Sequence, residues 1–411
     1  MMNQIVKSYF YTSFDRKLKM LLITNNNYKP QLFSGYILVS FVLFSLFFNK
    51  SYSQSTTNYK WWNPEQQNSK VIEGQGWPKN VIGIYDRLPT KAKKMVREPV
   101  WNLSKHSAGL SIRFKSNAKE ILIRYKTINK NYSMPHMPST GVSGVDLYAK
   151  NDDDNWVWFK GNYSFGDTIT YNFKNINLKA AKDFKDFEYQ LFFPLYNGVE
   201  WFEIGVPVEA KFEFLPLRKE KPIVVYGTSI AQGACASRPG MAWTSILERK
   251  LNRPVINLGF SGNGRLEKEM IALVAEIDSE IYVLDCLPNL VLNKNRTSEK
   301  VYQKIISSVK EIRKKHKSTP ILLVDHAGYS DGLTNINRYN AYSNLNLINQ
   351  KAFNRLKEDG IPNIYILKKN EIGLQLDSYV DGTHPTDLGM VEYSDAYEKI
   401  IHKIIDKKQL Q

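Results

Sequence analysis

The chain has 411 residues, 43% of them hydrophobic, 13% aromatic and 23% charged, which excludes a disordered, collagenous or low-complexity protein. Two cysteines are too few for a disulfide framework or a cysteine-built zinc site. Lys and Arg number 56 against 40 Asp and Glu, a net charge of +16, which by itself admits nucleic acid, anionic membrane or an acidic polymer as partner.

The N-terminus narrows that choice. A basic stretch (Arg16, Lys17, Lys19, Lys29) precedes the apolar run Gly35 to Phe48, and Ser51-Tyr52-Ser53 places small residues where a signal peptidase would cut after Ser53. This is the layout of a secretory signal peptide over residues 1–53. The run falls short of the ~20 residues needed to cross a bilayer, so a retained anchor is the weaker reading. The expected location is periplasmic or extracellular, with no stable membrane insertion after cleavage. Residues 54–411 carry +11. They hold no Arg/Lys block with interleaved aromatics, so nucleic acid is set aside.

From Val81 to Leu215 the hydrophobic period is two, the mark of half-buried strands. Strands are expected at Leu110–Lys115, Ile121–Tyr125, Val145–Ala149, Trp156–Phe159, Thr168–Phe173, Tyr189–Phe193, Val199–Ile204 and Ala210–Phe214. Eight short strands without a helix-length apolar stripe predict an all-β sandwich or jelly roll over residues 54–217.

Beyond the charged link Arg218-Lys219-Glu220-Lys221 the pattern changes. Ile223–Tyr226, Val255–Leu258, Ile281–Leu284, Ile321–Val324 and Ile364–Leu367 are continuous apolar runs, as strands buried on both faces require. Helical stripes lie between them, one over Leu266, Met270, Leu273, Val274 and Ile277, another over Val301, Ile305, Val309 and Ile312. Residues 218–411 therefore read as an α/β domain with a parallel sheet. The ligand site of such a sheet lies beyond the carboxyl ends of its strands.

Chemistry-bearing residues do follow those strands. Ser229 stands in Gly227-Thr228-Ser229-Ile230 after the first, Gly262 follows the second, and Asn289 follows the third. Asp325-His326 ends the fourth, and Asp381-Gly382-Thr383-His384 lies past the fifth. A serine hydroxyl is a poor nucleophile until a base takes its proton, and the base needs an orienting group. His384 and Asp381 can supply both. The N–H groups of Ser229 and Gly262 and the side-chain amide of Asn289 would form a three-donor oxyanion hole. Singly, each is compatible with an ordinary turn or cap. Together, at successive strand ends, they make a site. His326, behind Asp325, remains a competing base on these grounds.

Gly227-Thr228-Ser229-Ile230, Gly262, Asn289 and Asp381-x-x-His384 resemble, in order and spacing, the four blocks of the SGNH or GDSL-type hydrolases. Those are flavodoxin-like α/β serine esterases, and the resemblance covers about residues 219–405. Gly144-Val145-Asp146-Leu147-Tyr148 resembles the GxDLY motif of the N-terminal domain carried by a secreted subgroup. Two departures stand out: Thr228 replaces the GDSL aspartate, and the third block keeps only Asn289. The resemblance implies that Ser229 is the nucleophile, His384 the base and Asp381 its orienting partner, with Ser229, Gly262 and Asn289 binding the oxyanion. It implies no metal or organic cofactor, and it places the base at His384 rather than His326.

The remaining marked residues receive plainer expectations. His326 should order its loop, and His136 should be a loop histidine, with lining of the cleft as the alternative. Asp146 and Tyr148 should pack or bond between domains. Arg238 is either a grip for an acidic substrate or a surface ion pair. His106, His316 and His402 read as surface positions. Cys235 and Cys286, both near strand ends, would either brace the rim as a disulfide, if the protein is exported, or stand as two free thiols. Trp156, Trp158 and Trp201 would stack on sugar rings or fill a core. The expected activity is hydrolysis of acyl esters, O-acetyl first, on a poly- or oligosaccharide. The alternatives are a lipase or acyl-chain thioesterase, or a non-catalytic glycan-binding protein on the same scaffold.

Overall fold

Alternating residues become strands here because every second side chain can be buried against a facing sheet. The computed structural model describes residues 58–151, 153–180 and 187–409; the expected signal segment lies outside them. Among the described residues one antiparallel sheet holds β1 (Tyr59–Trp62), β4 (Ile121–Thr127), β7 (Asn162–Ser164), β8 (Ile169–Phe173) and β10 (Val199–Pro207). Its order is β1-β10-β4-β8-β7. The second holds β2 (Ile72–Glu73), β3 (Ser111–Ser116), β5 (Asp146–Lys150), β6 (Trp156–Phe159), β9 (Phe187–Phe192) and β11 (Phe212–Phe214). Its order is β11-β3-β9-β5-β6, with β2 beside β3. Ile121, Ile123 and Tyr125 of the first sheet share a core with Phe114, Tyr189 and Leu191 of the second, so the pair is a β-sandwich. Three strands escape the sequence pattern. β2 is two residues long, β7 is exposed throughout, and β1 is an aromatic-rich edge that alternation alone does not mark.

The five buried runs form one parallel sheet of β12 (Ile223–Gly227), β13 (Val255–Gly259), β14 (Ile281–Asp285), β15 (Ile321–Val324) and β16 (Ile364–Leu367). The order β13-β12-β14-β15-β16 is the flavodoxin-like one, and the chain reverses direction of travel across the sheet between β12 and β14. The described helices are α1 (Glu98–Leu103), α2 (Ser139–Val142), α3 (Ser229–Gln232), α4 (Trp243–Leu251), α5 (Lys268–Val274), α6 (Ser298–Lys315), α7 (Ile336–Glu358), α8 (Lys369–Ile372) and α9 (Asp387–Gln409). Val224 and Tyr226 face α5, α6 and α7, while Ile223 and Val225 face α4 and α9. The stripe from Leu266 to Ile277 is buried as expected, but only seven of its residues are helical. Leu266 takes a φ of 49°, a left-handed conformation that no helix continues through.

The β-rich half also invades both faces of the parallel sheet. Trp77, Leu88, Val100 and Trp101 join one core; Met137, Val142 and Leu195 join the other. Asn58–Gln411 is accordingly one compact unit. Among the described residues, no helix is long and apolar enough to cross a membrane.

Candidate active site

Ser229 opens α3 directly after β12. Thr228 takes an extended conformation and caps that helix, its hydroxyl accepting the Ile230 N–H at 3.4 Å. Threonine thus performs the capping that an aspartate would. As the first helical residue, Ser229 has no intrahelical acceptor for its own N–H. The residue is nearly covered, at 8% exposure. Ser229 Oγ lies 2.8 Å from His384 Nε2, and His384 Nδ1 lies 2.7 Å from Asp381 Oδ2. The carboxylate accepts, so Nδ1 carries the hydrogen and Nε2 is left to accept the serine O–H.

The Asp381 loop is braced from several sides. Asp381 Oδ1 accepts the N–H groups of Thr383 at 3.0 Å and His384 at 2.8 Å. Partial burial pushes its carboxyl up, but the hydrogen bonds from His384 and Thr383 outweigh that and hold it below the usual carboxylate range. Arg338 of α7 donates to the Gly382 carbonyl at 3.0 Å and to Thr383 Oγ1 at 3.1 Å, and its guanidinium lies 3.6 Å from the Tyr329 ring centre.

The two other blocks converge on the same end of the sheet. Gly262 has a φ of 68°, and a side chain there would meet open space. Glycine is required by the backbone conformation, not by crowding. Asn289 Oδ1 accepts the Gly264 N–H at 3.1 Å, which commits the oxygen edge of the amide and leaves its N–H₂ edge to donate elsewhere. Gln232 of α3 ties these parts together. Its Oε1 accepts the Ser261 N–H at 3.0 Å, and its Nε2 reaches the Leu195 carbonyl and His106 Nδ1, each at 3.1 Å.

Several expectations are corrected by this geometry. His106, expected at the surface, is half-buried: it lies against Gln232, and burial followed by the nearby Arg87 charge lowers its pKa to about 4. Cys235 and Cys286 are both free and buried. Cys286 belongs to the core on the α5–α7 side and donates to the Tyr226 carbonyl at 3.4 Å, whereas Cys235 stands at the serine–histidine site, so no disulfide braces the rim. Trp156 donates to the Arg249 carbonyl at 2.9 Å, and Trp158 donates to Asp146 at 2.6 Å beneath the Arg238 guanidinium. Trp156 is thereby tied to the α/β half, while Trp158 meets that half through Arg238 and stays 48% exposed. Trp201 lies under Arg124, 5.5 Å from ring centre to guanidinium carbon. His136 takes the alternative given for it, lining of the cleft: its ring stacks on His384 with ring centres 6.0 Å apart.

Other expectations hold. His326 is buried at the foot of its loop and accepts the Gly328 N–H at 2.9 Å, while Asp325 is bonded to Asn349 and Gln350. Burial, with Arg338 and Lys369 nearby, lowers the His326 pKa to about 3. Asp146 and Tyr148 bond across the two halves to Arg238, which forms an ion pair. His402 is exposed as expected, whereas His316, also expected at the surface, is half-buried with Nε2 2.9 Å from the Ala275 carbonyl.

Sequence reasoning missed Arg87, Gln232, Tyr196 and Arg338. Buried Arg87 donates to the carbonyls of Leu103, His106, Asn257 and Gly259, joining the β-rich half to the end of β13. Tyr196 donates to the Ser229 carbonyl at 3.3 Å. Of these only Gln232, three residues past Ser229 on one short helix, left a local signal. Among the described residues, Cys235, Asp381 and His384 bring metal-ligating atoms within 4.8 Å of one another. Both ring nitrogens of His384 are already engaged, and burial followed by the Asp381 charge pushes the Cys235 thiol up to about 12. The donor set suits a proton relay better than a metal.

Residues 220–402 match the model of the GDSL-like Lipase/Acylhydrolase family, and residues 59–212 match that of the N-terminus of Esterase_SGNH_hydro-type, named GxDLY. A protein from Bacteroides ovatus described as a GDSL-like lipase is 29% identical, with a TM-score of 0.76 over 85% of this chain and 98% of its own. The salicylyl-acyltransferase SsfX3 of a tetracycline biosynthetic pathway shares the fold at 16% identity and a TM-score of 0.66, over 84% of this chain and 97% of its own. No curated protein matches the sequence. Residues 220–402 thus belong to the GDSL-like, or SGNH, hydrolase family, and residues 59–212 to the GxDLY N-terminal region found on SGNH-type esterases.

Proposed function

We propose that the protein is an exported serine esterase that removes acyl groups, acetyl first, from hydroxyls of an oligo- or polysaccharide. The observation that carries the reading is the unbroken relay from Ser229 Oγ through His384 to Asp381, with separations of 2.8 and 2.7 Å. Ser229 Oγ attacks the ester carbonyl while His384 Nε2 takes its proton, and Asp381 holds the Nδ1–H tautomer and faces the imidazolium that forms. The oxyanion receives the Ser229 and Gly262 N–H groups and the Asn289 amide. His384 then protonates the departing sugar hydroxyl. Water attacks the acyl-enzyme with His384 as base, releasing the acid and restoring the serine. The nearly covered Ser229 favours a short acyl group. The secretory layout of residues 1–53 favours a substrate outside the cytoplasm.

The test is acetate release from p-nitrophenyl acetate and from a panel of acetylated glycans, wild type beside Ser229→Ala. Activity that vanishes with the serine and falls steeply from acetyl to octanoyl esters is the expected result. Hydrolysis that favours octanoyl esters would overturn the acyl assignment. Glycan binding that survives Ser229→Ala, with no hydrolysis by wild type, would overturn the enzymatic one.

A further inference from the structure

The β-rich half sends one side chain onto the proposed base. Met134 and Met137 exchange backbone hydrogen bonds of 2.9 and 3.0 Å, closing a tight turn with Pro135 and His136 at its tip. Met137 is buried in the core on the α4–α9 side of the parallel sheet, and Met134 packs against that core. The following helix α2 is clamped to the segment after the nucleophile helix. Thr140 Oγ1 donates to the Ser237 carbonyl at 2.6 Å, and a Cβ on Gly141 would meet the Ala236 carbonyl oxygen at 2.2 Å. The turn is therefore anchored at its base, in the half of the molecule that carries Ser229. The His136 residue is itself exposed, yet its ring lies over His384 with centres 6.0 Å apart and planes 19° apart, an offset stack.

We propose that His136 is a positioning residue for His384. The imidazole of His384 must keep Nδ1 on Asp381 and Nε2 on Ser229 through both proton transfers, and its two edges are held by those partners. Neither partner restrains tilt of the ring out of its own plane. A flat ring stacked on one face does. Covering the base in this way gives the β-rich half a part in the chemistry performed by the α/β half. Aromatic flatness is the property that matters, so phenylalanine should substitute for His136 and alanine or glutamine should not.

The inference rests on the reading of His384 as the base, and two measurements separate failure of one from failure of the other. The first is kcat and KM on p-nitrophenyl acetate for wild type and for His136→Ala, His136→Gln and His136→Phe, each checked for an unchanged thermal midpoint. The second is ¹⁵N NMR of the ring nitrogens of His384, assigned with His384→Gln, which needs no turnover. Alanine and glutamine should lower kcat about tenfold with KM little changed, since small misplacements of a catalytic group are costly. They should also shift or broaden the His384 ring signals, and phenylalanine should restore both. Unchanged His384 signals in His136→Ala would overturn the proposal, whatever the rate. Full kcat in His136→Ala, or no rescue by phenylalanine, would overturn it as well. A wild type that hydrolyses no ester would sink the esterase reading and leave the NMR comparison to decide the bracing alone.

Discussion

Arg238 and Asp146 stand 2.5 Å apart across the boundary between the β-sandwich and the parallel sheet. Asp146 is the buried aspartate of the GxDLY motif, and Arg238 lies nine residues past Ser229. The same carboxylate accepts the Gly240 N–H at 3.0 Å and the Trp158 indole N–H at 2.6 Å, while Tyr148 also meets Arg238. The motif thus fastens the loop that follows α3 and does not touch the Ser229–His384–Asp381 chain.

Removing one partner of that pair should be far worse than removing both. Burial, working against Arg238, leaves the Asp146 carboxyl above its usual range, so a lone carboxylate there is costly. Arg238→Met is expected to destabilise the fold by about 3 kcal/mol, and the double variant with Asp146→Leu should recover part of the loss. Urea unfolding of the two variants reads this directly. Equal losses in both would contradict a paired charge.

Asn289 has two separable duties. Its oxygen orders the Gly264 N–H, and its amide hydrogens are proposed to meet the oxyanion. Asn289→Asp keeps the acceptor and removes the donor, so kcat should fall about 10²–10³-fold while the melting temperature holds. A drop in stability without a matching drop in kcat would assign Asn289 to structure alone.

Asp285, at the end of β14, is buried and accepts the Tyr397 hydroxyl at 2.9 Å. Burial raises its pKa from 3.8 to about 6 despite that bond. The folded state therefore holds this proton more tightly than the unfolded one. Its contribution to stability is full below pH 3.8 and is lost as pH rises through about 6. Asp285→Asn should stabilise the protein above that range by at most about 3 kcal/mol, with the advantage gone at pH 4. Melting curves from pH 4 to 8 test the sign, and an advantage that grows toward acid would refute it.

With Cys286 in one core and Cys235 beside Asp381, both thiols should titrate in unfolded, unreduced protein. In the native state Cys235 should react slowly at pH 8, because its thiol is pushed up to about 12. No reactive thiol after unfolding would show a disulfide and contradict the free cysteines.

What local order can determine was legible in the sequence. Periodicity of two marks strands and continuous apolar runs mark parallel ones, because burial of one face or of both is written into neighbouring residues. The five strands of the parallel sheet appear within a residue of their expected ends. Ser229, Gly262, Asn289 and His384 could be picked out because connections in such a sheet bring successive strand ends to one edge. Contacts between residues far apart in the chain left no such mark. His136 lies 248 positions from His384 in the numbering, and only the anchoring of Met137 and Thr140 brings its ring there. His106, read as a surface residue, was decided by its contact with Gln232, and the two cysteines by the burial of Cys286 in one core and the place of Cys235 beside Asp381 and His384. The sequence by itself determined the elements and the residues able to do chemistry. Tertiary packing decided which of them touch, since burial and hydrogen bonding act on distance in space and not on separation along the chain.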